Sequence, residues 1–133
     1  MRHKIETLAR IERLRKRMHE MAQWRLAVVV AEREKLSSAH AEMIEALGDG
    51  LMAFGPASVA GTRRLRGIER EMALADVTEK DLEQRTLEEG RLAKLADRCL
   101  GAAREALRGQ VERRSLEELI EATLRCGSGP HKA

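Results

Sequence analysis

The groups in this sequence that could do chemistry are few and widely spaced. His3, His19, His40 and His131 form neither a His-Glu-x-x-His motif nor a Cys/His ligand spacing, so they are read as solvated side chains rather than metal ligands. Cys99 and Cys126 stand alone, and two isolated thiols read as reduced residues of a cytosolic chain, without a disulfide. A nucleophilic Cys99 would need a pocket that excludes water; it is read instead as a small residue in a helix seam. The stretch GDGLMAFG, residues 48–55, contains Gly-x-Gly but neither Gly-x-Gly-x-x-Gly nor a following Gly-Lys-Ser/Thr, and it reads as a turn rather than a phosphate cradle. No catalytic residue, metal site or cofactor is assigned, and the chain is expected not to be an enzyme.

What remains is charge. The formal net charge is only +3, but it is laid out in blocks: residues 1–25 carry eight basic and three acidic groups, residues 76–89 two basic and six acidic, and residues 90–114 seven basic and three acidic. Clustered Arg and Lys can grip phosphates. Against that stand interspersed Glu and an almost complete lack of rings for base stacking, with one Trp, one Phe and no Tyr. Nucleic acid is therefore disfavoured against an acidic protein surface or a solvated face. No targeting segment is read at the start, and the longest wholly apolar run is Leu26 to Ala31, six residues, far short of the roughly 20 that cross a bilayer. No membrane insertion is expected.

The elements that must carry these charges are helices. Ala, Glu, Lys, Leu and Arg supply 79 of the 133 residues, a composition typical of coiled coil. Only Pro56 and Pro130 interrupt it, and residues 48–61 gather four glycines and one proline. The reading is an all-α fold in which two long helices form an antiparallel coiled-coil hairpin over 1–126. Helix 1 spans about 2–47, the hinge about 48–61 and helix 2 about 58–126; the disordered tail covers 127–133. The second helix overhangs the first. Five pairs with an acid four residues before a base support the helices: Glu6 and Arg10, Glu12 and Lys16, Asp76 and Lys80, Asp81 and Arg85, Glu121 and Arg125.

Steps of three and four place the first seam on Leu8, Ile11, Leu14, Met18, Met21, Arg25, Val28, Glu32, Leu36, Ala39, Met43 and Ala46, with Val29 on a neighbouring one. The second seam runs through Leu65, Ile68, Met72, Ala75, Glu79, Leu82, Thr86, Glu89, Ala93, Ala96, Cys99, Ala103 and Ala106, then on through Gln110, Arg113, Glu117, Ile120 and Leu124. A turn centred between 52 and 55 makes facing residue numbers add to roughly 104–110. The small residues from Gly90 to Gly109 then meet Ile5, Leu8, Ile11, Met18 and Met21, large into small, and the two basic blocks make the open end strongly positive. Trp24 is read as covering the groove, with contact to a partner as the alternative. Arg63, Arg64 and Arg66 oppose the dipole at the start of helix 2. The hinge carries Leu51, Met52 and Phe54 beside Met43 and Leu47; either these fold back as a local cap or they form a partner-docking tip.

Three stretches, LARIERLRKRMHEMA at 8–22, AEREKL at 31–36 and QVERRSLEELIEATL at 110–124, together with the hairpin layout, resemble the FliJ family of flagellar type III export proteins and its injectisome stalk counterparts. The resemblance implies a non-enzymatic stalk or chaperone of a protein export apparatus, cytoplasmic and peripheral to the membrane. Its partners would be the export ATPase hexamer, the membrane protein of the export gate and substrate chaperones. The matched residues of the ATPase-entering end are Arg10, Arg13, Arg17, Arg104, Arg108, Arg113 and Arg114. A generic coiled-coil adaptor and a basic nucleic-acid binder are the alternatives; the glycines of the hinge and of helix 2 depart from the family's pattern.

Overall fold

The computed structural model describes residues 2–49 and 56–128, the side chains of 56–58 and 128 excepted. The protein is all-α. Two long helices, α1 (Arg2–Gly48) and α2 (Pro56–Ser128), pack against each other as an antiparallel hairpin. α1 contains no proline and no glycine before Gly48, so nothing interrupts its hydrogen-bond ladder. The Asp49 amide donates to the Glu45 carbonyl at 3.0 Å, continuing the last turn. α2 opens on Pro56, where the missing amide proton costs nothing because the first turn has no acceptor for it. It runs through Gly127 and ends at Ser128, with Arg125 in the last turn where a cation suits the dipole.

Two units of compact contacts divide the chain: Lys16–Arg91, and Met1–Arg15 together with Leu92–Ala133. Within Lys16–Arg91 the pairing is fixed by polar contacts. Arg33 Nη1 donates to Glu79 Oε2 and lies 3.8 Å from Asp76 Oδ1, and His40 Nε2 is 3.2 Å from Glu69 Oε1. The numbers of the bonded residues add to 112 for the first pair, just beyond the expected facing range, and to 109 for the second, within it.

Burial follows a strict alternation of three and four. On α2 the covered positions are Leu65, Ile68, Met72, Ala75, Glu79, Leu82, Thr86 and Glu89 in the first unit, then Ala93, Ala96, Leu100, Ala103 and Leu107 in the second, a heptad repeat without a break. The expected seam through Cys99 and Ala106 is therefore corrected to Leu100 and Leu107; Cys99 is exposed. On α1 the correction is larger. Covered residues include Leu8 and Glu12, then Arg15, His19, Ala22, Leu26 and Val29, while Ile11, Leu14, Met18, Met21 and Val28 are exposed. From Leu36 on, the expected Leu36, Ala39, Met43 and Ala46 are covered, together with His40 and Leu47. The seam between residues 11 and 32 is displaced by one residue from the one expected.

The reason is visible at Gly90. A Cβ built there would stand 3.0 Å from His19 Nε2, so the His19 ring lies over the glycine. The large-into-small packing exists, but the large partner is an imidazole and not Met18 or Met21. Half-covered Thr86 fits a seam because its hydroxyl donates to the Leu82 carbonyl at 2.7 Å. Among the described residues no side chain is fully buried.

The Arg33–Glu79 bond carries a prediction. Glu79 has only 12% of its side chain exposed, and Arg33 is held protonated more firmly than an ordinary arginine, first by its hydrogen bond to Glu79 and then by the charges of Glu79 and Asp76. A raised folded-state value stabilises below the unfolded one and is lost only in strong base, so alkali within the working range leaves the pair intact. Arg33→Ala strands the Glu79 carboxylate in the seam and should lower the thermal midpoint; Glu79→Leu places an aliphatic residue at a heptad position and should raise it. Melts followed by circular dichroism check both signs.

Candidate functional site

The arginines matched to the ATPase-entering end project from helix faces turned away from the seam. Arg10 and Arg13 on α1 and Arg104, Arg108, Arg113 and Arg114 on α2 share one unit, and all six are exposed; Arg17, also exposed, belongs to the other unit. Among the described residues none of the seven forms an ion pair or a side-chain hydrogen bond. Guanidinium groups in this condition offer forked donors to an incoming carboxylate or phosphate without first breaking a bond.

Charge in that unit is graded. Residues 2–15 and 92–109 together hold nine basic and four acidic groups, a net of +5, whereas residues 110–127 hold three basic and four acidic, a net of −1. Arg113 and Arg114 thus mark the limit of the positive field. Beyond them Glu117, Glu118 and Glu121 take over, and every side chain from 110 to 127 is exposed. Of the five expected i to i+4 pairs, Asp76–Lys80 closes at 3.4 Å and Glu121–Arg125 at 3.6 Å. Both are solvated and contribute only a few tenths of a kcal/mol each.

At the other candidate site, Met43 and Leu47 are half-buried seam residues; Leu51, Met52 and Phe54 lie outside the described residues. Two of the histidines differ from their reading as solvated groups, His19 packing over Gly90 and His40 facing Glu69; His3 is exposed, and His131 lies outside the described residues. Among the described residues no group of three or more His, Cys, Asp or Glu is placed to hold a metal, and no helix is long and apolar enough to cross a membrane.

An exposed apolar face stands where the sequence reading put an intramolecular seam, and Trp24 takes the exposed alternative and not the covering one. Trp24 does not cover a groove: it is 68% exposed, and with Met21 at 54%, flanked by Met18 at 36% and Val28 at 38%, it forms a partly exposed strip on α1. The signal was present, since these residues recur at steps of three and four; it was assigned to the intramolecular seam. A second uncovered set, Leu116, Leu119, Ile120 and Leu124, lies on α2 past Arg114. No family model, no curated protein and no solved structure matches the chain.

Proposed function

We propose that the protein is a coiled-coil stalk and chaperone of a type III protein export apparatus, coupling the export ATPase ring to the membrane export gate. The observation that carries this reading is the set of six exposed arginines without ion pairs, on two helices of one unit. A rod that must turn or slide inside a ring needs polar contacts that form and break quickly, and rim charges of this kind govern encounter and salt dependence more than residence time. The resemblance of residues 8–22 and 110–124 to the FliJ family supplies the partner class: the ATPase hexamer at the cationic end, with the gate protein and substrate chaperones elsewhere. The reading makes no use of an enzymatic step.

The test is a titration of the purified chain onto the hexameric export ATPase. Reversing Arg10, Arg13, Arg104 and Arg108 to Glu should weaken binding more than tenfold, over 1.4 kcal/mol, and added salt should do the same to the unaltered chain. Failure of the ATPase to bind at all, together with intact secretion when Arg13 and Arg17 are reversed to Glu, would refute the proposal. Tight, steeply salt-dependent binding to duplex DNA instead would favour the basic nucleic-acid reading.

A further inference from the structure

Two exposed or partly exposed apolar faces of opposite electrostatic surroundings occur on the same chain. The strip of Met18, Met21, Trp24 and Val28 on α1 has Arg17 and Arg25 set among its members, and residues 13–28 hold five basic groups against one acid, Glu20. The set on α2, Leu116, Leu119, Ile120 and Leu124, lies in residues 115–124, which hold Glu117, Glu118 and Glu121 and no basic group. Glu121 is occupied only by the solvated contact to Arg125 at 3.6 Å. Both sets repeat at helical spacing, and each covers a length of about 12–15 Å at 1.5 Å per residue. An apolar strip with an arginine rim and an apolar strip with a glutamate rim are complementary in both respects that select helix partners.

Each set is exposed within the unit that holds it: Met18, Met21, Trp24 and Val28 in Lys16–Arg91, and every side chain from 110 to 127 in the other unit. We propose that the occupant of the α1 strip is a second copy of this chain, whose segment 115–124 lies along Met18–Val28. A two-fold axis then repeats the contact with the roles exchanged. The inference is independent of the export reading.

The test uses the full chain. Sedimentation velocity over a series from micromolar to sub-millimolar should show monomer passing to dimer, and the emission of Trp24, the only tryptophan, should shift to the blue with the same midpoint. The double substitution Leu119→Glu with Ile120→Glu should abolish both changes while leaving the helical circular dichroism intact, since every side chain from 110 to 127 is exposed. Arg17→Glu with Arg25→Glu should weaken association at least tenfold, and adding Glu117→Arg with Glu121→Arg should restore it. A chain that stays monomeric throughout, or a dimer indifferent to Leu119→Glu with Ile120→Glu, overturns the proposal. So does a charge swap that fails to rescue. If the double variant loses helix, Leu124→Lys at the far end of the segment replaces it, and its indifference is equally fatal.

Discussion

Replacing Gly67, Gly101 and Gly109 together by alanine should raise the free energy of unfolding by about 2–3 kcal/mol, from about 1 kcal/mol for each glycine removed from a helix interior. The methyl groups meet no obstacle, because a Cβ built at any of the three positions has nothing within 4 Å. Much of the gain comes from the unfolded chain, which loses conformational freedom it would otherwise recover. Gly90 is the exception: its Cβ would press on His19 Nε2 at 3.0 Å, so Gly90→Ala should forfeit most of its propensity gain to displacement of the ring. In a His19→Ala background the same change should recover about 1 kcal/mol. Urea titrations of the triple variant and of the two-by-two cycle measure all of this. A triple variant no more stable than the parent would mean that α2 is not a continuous helix in solution.

Leu100→Ala should destabilise by about 2–4 kcal/mol. Leu100 is 4% exposed, the most covered hydrophobic side chain of the described core, and among the described residues of its unit only Ala93 and Glu12 reach comparable burial. The neighbouring change Cys99→Ala touches an exposed residue and should fall within about 0.5 kcal/mol of the parent. The pair is decisive for register, because a seam running through position 99 would reverse the two results. Thermal melts suffice, and hydrogen exchange should place the Leu100→Ala loss in residues 2–15 and beyond 92 before it reaches the rest of the chain.

The hairpin and its handful of breakers were legible because proline and glycine act locally. So was the α2 seam from Leu65 to Ala96, where apolar or small residues hold almost every third and fourth position. Between residues 11 and 32 the seam of α1 was not. There Ile11, Leu14, Met18, Met21 and Val28 make the more hydrophobic stripe, and hydrophobicity alone selects it. The face that packs instead carries Glu12, His19, Ala22 and Leu26, chosen by partners far along the chain: a glycine that admits an imidazole, and a Glu79 that requires Arg33. Such matches are non-local and leave no periodic signal. The slip at Cys99 was of another kind, a stutter read into a heptad that continues unbroken to Leu107. As for the candidate site, composition located the cationic blocks, but which arginines remain without carboxylates depends on side-chain reach, and that is settled only in three dimensions.

The His19–Gly90 notch also bears on how far the helices of Lys16–Arg91 can slip. Sliding one helix by a single heptad would bring Asp97 or Glu83 over the imidazole in place of the one residue that has no side chain, and would draw Arg33 off Glu79. Over this stretch the two helices are therefore indexed like a key in its slot.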